Sequence, residues 1–423
     1  MERPLTQHIR PRHEPLSLAE YEKSGGYRSL RKAFAMSPRD IVAMVKASNL
    51  RGRGGAGFPT GMKWGLVPAV SSAPQPRYFI VNADEMEPGA FKDRLLLEGD
   101  PHQMIEAMIV SAYAVQAEQA FIFLRKEYSA AEKRLSKAIA EAHAKKYLGA
   151  NILGSGFNLD LRIHSSAGRY ICGEETALIN AIEGKRAVPR AKPPFPLACG
   201  LWGRPTIVNN VETVANIHHI VNNGPEWFKA LSVCRDGGTK IYGISGRVRR
   251  PGAWELPMGT TIKELIEDHA GGMQKGYALR SIIPGGASTD FLLPEHLGVA
   301  MDFDSVAKAG SRMGTGTMTI LDDRTCPVGF VHNIEVFFSR ESCGWCTPCR
   351  EGLPWIVKML HAIENGRGEM GDLSILEEQC KLLGPGNTFC AFAPGAVEPL
   401  QSALKYFRED FERHIREKKC PWK

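Results

Sequence analysis

Apolar residues along this chain keep one rhythm through the first half and another towards the C-terminus. Short uninterrupted apolar runs at 78–81, 120–124 and 159–163 predict buried strands. Between them stand stretches of helical period: 101–118 as an amphipathic helix and 130–147 as a helix with one charged face. Such alternation predicts a parallel sheet covered by helices. Residues 1–50 start polar and irregular, then Ser37-Pro38-Arg39-Asp40 reads as a helix start backed by Ile41, Met44 and Val45. The texture changes near Thr239. Residues 240–248 and 252–257 are strand-like, and Thr260 caps a helix whose box lacks its acid at Lys263. Gly314-Thr315-Gly316 is a tight turn before a strand at 318–321, and another strand is predicted after Cys326-Pro327. Helical periodicity at 353–363, 373–383 and 397–411 predicts a small bundle. The expected boundaries are 1–50, an extension and helix; 51–238, the α/β domain; 239–330, a small β domain; and 331–423, a helical domain.

Composition narrows the class. A chain of 423 residues, 43% hydrophobic and 23% charged, exceeds what one core usually serves. The most apolar helix candidate, 104–115, carries Glu106 and is too short for a bilayer, so membrane association is expected only through a partner. The net charge of +7 suits an acidic partner or anionic ligand, but no dense basic run or aromatic-basic interleaving marks a nucleic-acid surface.

The candidate chemistry begins with Ser342-Cys343-Gly344-Trp345-Cys346-Thr347-Pro348-Cys349-Arg350. This spacing lets one loop offer three thiolates to three irons of a cubane, with a fourth from elsewhere. A zinc ribbon would use two Cys-x2-Cys knuckles, and no second knuckle occurs. Ten cysteines in a chain opening without a signal-peptide pattern argue against a disulfide framework and for a reducing compartment. Cys326, Cys380, Cys390 and Cys420 compete for the fourth position. Cys326 belongs to the β domain's end, Cys420 to a charged tail expected to fray, and Cys380 to an apolar helix face with Leu376 and Leu383. Cys390 follows the breaker-rich Gly384-Pro385-Gly386-Asn387-Thr388, where the backbone is free to bend, and is chosen.

Earlier, Arg51-Gly52-Arg53-Gly54-Gly55-Ala56-Gly57-Phe58-Pro59-Thr60-Gly61, followed by Lys63 and Trp64, reads as a phosphate cradle with cationic side chains, although it is neither a Walker loop nor a clean Gly-x-Gly-x-x-Gly. The strand at 78–81 runs into Asn82-Ala83-Asp84-Glu85-Met86-Glu87, an amide and three carboxylates where open α/β sheets place ligands. Glu174 and Glu175 open a helix after Tyr170-Ile171-Cys172-Gly173, where acids complement the dipole; Cys172 reads as a small buried residue. Lys192-Pro193-Pro194-Phe195-Pro196 is a stiff loop presenting a lysine and a ring, and Asn209-Asn210 supply paired amides ahead of Thr213.

Taken together, RGRGGAGFPTG, NADEMEPGAFKDR, YICGEETAL, KPPFP, PTIVNNVET and SCGWCTPCR closely resemble the flavin- and NADH-binding F-type subunit of respiratory complex I, over about Tyr21 to Phe407. The resemblance implies a Rossmann-like FMN and NADH domain, a ubiquitin-like β-grasp (SLBB) domain and a C-terminal helical bundle carrying a [4Fe-4S] cluster. It implies FMN against Gly54, Gly55, Gly57 and Lys63, with Asn82, Asp84, Glu85, Tyr170, Gly173, Glu174, Asn209, Asn210 and Thr213 around the flavin. NADH would meet Phe58, Glu87, Glu175, Lys192 and Phe195, with Glu87 and Glu175 orienting it and repelling the extra phosphate of NADPH. The cluster would lie on Cys343, Cys346, Cys349 and Cys390. One departure is Leu66, where many relatives carry an aromatic residue that helps sandwich the adenine. Implied partners are a thioredoxin-like [2Fe-2S] subunit and a large multi-cluster iron–sulfur subunit. The implied location is peripheral, at the cytoplasmic face of a bacterial inner membrane or the matrix side of a mitochondrial one. The chain also resembles diaphorase subunits of NAD-linked hydrogenases and formate dehydrogenases, though the extra domains many of those carry are not expected here. A non-enzymatic, zinc-stapled binding protein is the alternative of a different class.

Overall fold

The first apolar run is the hub of a four-stranded parallel sheet in the computed structural model, which describes residues 2–10, 13–72 and 75–423. Its strands are β1 (Tyr78–Ala83), β2 (Gln119–Leu124), β3 (Asp160–Ser165) and β4 (Thr206–Asn210), in the order β3–β2–β1–β4. The central strands β1 and β2 are buried at all but one position each, which is why they read as continuous apolar runs, whereas β3, at an edge, mixes buried and exposed positions. The chain steps outward from β1 to β3, then returns to the other side of β1 for β4. The order therefore reverses between β1 and β4, and open α/β sheets bind ligands outside the carboxyl ends of strands at such a point.

Helix Pro101–Val115 is not amphipathic, as its pattern suggested. It is buried at every position but Tyr113, because the N-terminal segment covers its polar side. Glu106 is the anchor, accepting from Tyr21 Oη at 2.6 Å, Tyr27 N at 2.8 Å and Ser29 N at 3.1 Å, and Gln103 Nε2 donates to Leu5 O at 3.0 Å. These partners satisfy a carboxylate that would otherwise be costly to bury. The stretch read as irregular thus forms helices Leu18–Lys23 and Arg28–Phe34, and the helix start read at Ser37 opens helix Pro38–Ala47 with a Ser37–Asp40 capping box.

A second, mixed sheet contains β5 (Thr239–Gly246), β6 (Gly252–Pro257), β7 (Leu279–Ile283) and β8 (Thr317–Asp322), in the order β6–β5–β8–β7. β8 runs parallel to β5 and antiparallel to β7. The helix that follows β6 starts one residue later than its sequence suggested. Thr261 is the cap, and Glu264 supplies the acid that position 263 lacks, donor and acceptor completing a full box. The strand expected after Cys326 is instead helix Pro327–Glu341: proline pre-sets the first turn, and Cys326 Sγ caps it by accepting from Gly329 N at 3.2 Å. Helices Thr347–Glu364, Met370–Leu382, Phe392–Tyr406 and Arg408–Glu417 complete the C-terminal region.

By contacts the chain forms two compact units, one of Met1–Met86, Phe91–Tyr242 and Ala253–Thr260, the other of Glu87–Ala90, Gly243–Gly252 and Thr261–Lys423. Among the described residues no helix is long and apolar enough to cross a membrane.

Candidate flavin and iron–sulfur sites

In the first unit the carboxyl ends of β1 and β4 lie in register, Val81 opposite Asn209 and Asn82 opposite Asn210. Asn82 Nδ2 donates to Gly173 O at 3.1 Å, and its Oδ1 accepts from Asp84 N at 3.1 Å. Trp64 Nε1 fixes Asn209 Oδ1 at 2.9 Å, and Asp84 accepts from Ser166 Oγ at 2.9 Å. The glycine loop packs directly on this edge: a Cβ on Gly54 would meet Asn210 Cβ at 2.9 Å, and Arg53 N donates to Thr213 Oγ1 at 2.8 Å. Gly55 and Gly57 have φ of +129° and +65°, which L side chains rarely adopt.

The two arginines of the loop are engaged with backbone carbonyls of the protein itself. Arg53 is wholly buried and donates to the carbonyls of Gly237 and Thr239, while Arg51 Nε donates to Gly57 O at 2.7 Å. Lys63 Nζ reaches Val208 O at 2.8 Å and Glu175 Oε2 at 3.0 Å. What the loop offers an anion is mainly backbone N–H, the donor that side-chain-free glycine leaves accessible. Glycines a Cβ would crowd, carboxamides in register at a switch point and a half-buried lysine fit FMN, a planar ring with a phosphate tail.

Beside them Glu174 caps helix Glu175–Ile182, accepting from Thr176 N and Ala177 N at 2.9 Å. Lys192, from the proline loop, reaches Glu174 Oε1 at 3.1 Å and Glu175 Oε1 at 3.0 Å. Burial acts to raise the Glu175 carboxyl; Lys63 and then Lys192 overcome it, so it sits below the usual range. Glu175 therefore carries its charge between two ammonium groups rather than as a bare repulsive carboxylate. Phe58 and Phe195 stay about half exposed, as does Leu66. Tyr170 lies in the short 3-10 turn Tyr170–Gly173, and Cys172 beside it is buried.

Two carboxylates are placed differently from the rest. Glu85 turns inward, its oxygens accepting from Lys92 N, Asp93 N, Arg94 N and Tyr128 Oη at 2.8–3.1 Å, so it caps helix Lys92–Gly99. Glu87 belongs to the second unit, where its Oε1 accepts from Ser288 N at 2.7 Å. Sequence reasoning missed the ionic cluster next to Asn210. Asn210 Nδ2 donates to Asp93 Oδ2 at 2.6 Å; Lys92 Nζ contacts Asp93 Oδ1 at 2.6 Å and Glu212 Oε2 at 2.9 Å; Lys240 Nζ meets Glu212 Oε2 at 2.7 Å. Lys92 and Asp93 stood in a quoted motif without a role of their own, and no local pattern marks Glu212 or Lys240 as buried.

In the second unit Cys346 precedes helix Thr347–Glu364, and Cys349 lies buried in its first turn. Ser342 Oγ is 3.1 Å from Cys349 Sγ. Cys390 lies in the loop between Met370–Leu382 and Phe392–Tyr406. The four thiols gather closely enough to act on one another: burial pushes the Cys349 thiol up to about 12, with Cys346, Cys390 and Cys343 each adding to the rise. Cys380 is buried away from this group, among Glu335, Glu377 and Asp290. Four thiols, three of them within seven residues of the loop and first helical turn, fit a cubane cluster, whose irons take thiolate ligands, and the helix N-terminus favours their negative charge.

A parallel sheet with a glycine cradle at its switch point and a helix end ringed by four thiols define a flavin- and iron–sulfur-dependent oxidoreductase component. Known proteins agree. Residues 45–219 match the Nuo51 FMN-binding domain, 241–292 the SLBB domain, and 329–414 the NADH-ubiquinone oxidoreductase-F iron-sulfur binding region. The chain is 55% identical over 415 residues to the F-type subunit of the NADH-quinone oxidoreductase of Salmonella typhimurium, covering 98% of this chain and 93% of that one, and equally to its counterpart in Escherichia coli. It is 54% identical to the second F-type NADH-quinone oxidoreductase subunit of Rhizobium meliloti over 96% of both chains. Among solved structures, an NAD+-reducing [NiFe]-hydrogenase in the H2-reduced state superposes with a TM-score of 0.84 at 34% identity, over 97% of this chain and 68% of that one. The chain belongs to the family of F-type NADH-quinone oxidoreductase subunits.

Proposed function

We propose that this chain is the electron-input subunit of a complex I: NADH yields hydride to FMN, and electrons leave singly through a [4Fe-4S] cluster to partner subunits. A flavin is needed because it accepts hydride and releases single electrons, which no side chain here can do. The chain's own work is positioning. Gly54, Gly55 and Gly57 let backbone donors approach a phosphate, Lys63 adds charge, and Asn82, Asp84, Tyr170, Gly173, Glu174, Asn209, Asn210 and Thr213 frame the ring. Glu85 shapes this frame from within, through the helix it caps. Phe58 and Phe195 give NADH aromatic faces, and Glu175, held by Lys63 and Lys192, has a fixed position from which to orient it at about 3–3.5 Å between reacting atoms. Cys343, Cys346, Cys349 and Cys390 hold the cluster.

The observation that carries this reading is the register of Asn82 and Asn210 across the switch point, with the glycine loop packed on Asn210. The partners are a thioredoxin-like [2Fe-2S] subunit and a large multi-cluster iron–sulfur subunit, and the chain reaches the cytoplasmic face of its membrane through them. Identity of 55% with the Salmonella typhimurium relative against 34% with the hydrogenase chain favours the complex I assignment over a diaphorase. The test is NADH oxidation by the purified, FMN-loaded chain with ferricyanide or quinone as acceptor. Turnover with ferricyanide and little with quinone is expected; a folded, flavin-loaded sample inactive with ferricyanide overturns the proposal.

A further inference from the structure

Away from the four gathered thiols, a second set of ligand-type side chains converges in the C-terminal region. Cys326 caps helix Pro327–Glu341, Glu364 ends helix Thr347–Glu364, His414 lies in helix Arg408–Glu417, and Cys420 follows that helix. One ligand atom from each lies within 4.8 Å of every other. His414, Glu364 and Cys420 are buried, with 0%, 6% and 5% exposure. The tail expected to fray is instead folded back: Lys418 takes a left-handed turn, and Trp422 stacks on His414 at 5.7 Å.

We propose that Cys326, Glu364, His414 and Cys420 form a structural zinc site that ties the end of the chain to the helical bundle.

Three of the four ligand atoms are spaced as a tetrahedral zinc would set them, and the fourth, Cys420 Sγ, lies within 4.8 Å of each. Zinc with bonds of about 2.3 Å to sulfur and about 2.0–2.1 Å to nitrogen or oxygen sets sulfur about 3.6 Å from nitrogen or oxygen, and nitrogen about 3.3 Å from oxygen. Cys326 Sγ lies 3.3 Å from His414 Nε2 and 3.6 Å from Glu364 Oε2, and His414 Nε2 lies 3.2 Å from Glu364 Oε2. The histidine is also set in the ligating tautomer. His414 Nδ1 is 2.6 Å from Asp410 O, and a carbonyl only accepts, so Nδ1 carries a proton and Nε2 is the ring nitrogen turned to the centre. Charge closes as well: a dication, two thiolates, the Glu364 carboxylate and Lys423, whose Nζ holds Glu364 Oε1 at 2.9 Å, sum to neutral. Mixed sulfur, nitrogen and oxygen ligands in a closed tetrahedral set select zinc over oxygen-seeking cations. No sequence motif announces the site, because its ligands come from three separate segments.

The test uses the full-length, flavin- and iron-loaded protein, incubated with zinc sulfate and desalted, with zinc, iron and FMN measured per chain. About one zinc is expected, and its X-ray absorption edge should report two sulfur and two nitrogen or oxygen neighbours. Cys420→Ser and His414→Gln should each lower zinc retention at least about tenfold while iron and FMN stay at wild-type levels. Wild-type protein that retains no zinc, or zinc with four sulfur neighbours, overturns the proposal, and neither readout depends on how the variants fold. Zinc retained undiminished by both folded variants overturns it too. Loss of NADH oxidation is not a readout, so the outcome stands apart from the catalytic assignment.

Discussion

The two units build their sites from opposite materials. The first gathers glycines and carboxamides at strand ends and buries a network of full charges next to Asn210; the second gathers thiols at helix ends. In the first, each piece is a glycine loop or a strand end with the loop after it, so each is read locally although the pieces meet only in the fold. In the second, three of the four proposed cluster ligands sit within seven residues, yet the fourth comes from a distant loop, and the proposed zinc set is drawn from three separate segments. A ligand site made by one loop is written as a motif; one made by packing is not.

The largest test of that contrast removes a single thiol. Cys390→Ser should abolish or convert the [4Fe-4S] signal in electron paramagnetic resonance and lower iron content, with FMN retained. Cys380→Ser, buried among other groups, should leave four irons. The reverse outcome would move the fourth ligand to Cys380.

Next is the buried charge network of the first unit. Burial acts to raise the Glu212 carboxyl, but Lys240, Lys92 and Arg53 outweigh it and bring it from 4.5 to about 2. A carboxyl depressed by this much contributes about 3 kcal/mol of stability, present above its ordinary value and lost as pH falls from there towards 2. Glu212→Gln also leaves Lys240 buried without its anion, a cost of about 3–5 kcal/mol. Thermal unfolding should therefore show a large penalty at neutral pH that shrinks below about pH 4.5. A penalty independent of pH between 6 and 2.5 would mean that Glu212 acts by packing alone.

These cases show what the sequence made legible. The α/β alternation, three strands of each sheet and the helical C-terminal region were legible in the apolar pattern, while β4 and β7 were not; the flavin and iron–sulfur chemistry followed from glycine, amide and cysteine spacing. Less legible were features decided by what packs against them. Helix Pro101–Val115 lost its solvent face because Tyr21, Tyr27 and Ser29 supply donors to Glu106. Arg53 reads as a phosphate ligand by its place in the loop, and only the carbonyls of Gly237 and Thr239 show why it turns inward. A proline after Cys326 suits a strand edge or a helix start equally, and the tertiary setting chose the helix.

Nucleotide choice sharpens the comparison at intermediate size. The resemblance implied that discrimination against NADPH rests on the negative charges of Glu87 and Glu175. In the fold the charge of Glu175 is shared with Lys63 and Lys192, so removing it exposes two cations rather than merely relieving repulsion. Glu175→Gln should raise relative use of NADPH about tenfold, chiefly by lowering its KM. An unchanged preference with unchanged NADH kinetics would leave Glu175 as a helix-terminal acid only.

The smallest expected effect concerns a single cap. Thr261 and Glu264 exchange hydrogen bonds at the start of helix Ile262–Glu264, with Thr261 N donating to Glu264 Oε2 at 2.8 Å and Glu264 N to Thr261 Oγ1 at 3.2 Å. Replacing a threonine cap by alanine ordinarily costs about 1 kcal/mol, because the orphan N–H must find water instead. The loss is local, so it should be read locally: Thr261→Ala should lower hydrogen-exchange protection of the amides of 262–269 about fivefold. The amides of β1 and β2 should be unmoved. Thr260→Ala should have less effect on that turn, since Thr260 Oγ1 donates to Pro257 O at 2.8 Å rather than capping the helix. Equal losses from the two variants would mean that the helix is held by the packing of Ile262 and Leu265, with its cap contributing nothing measurable.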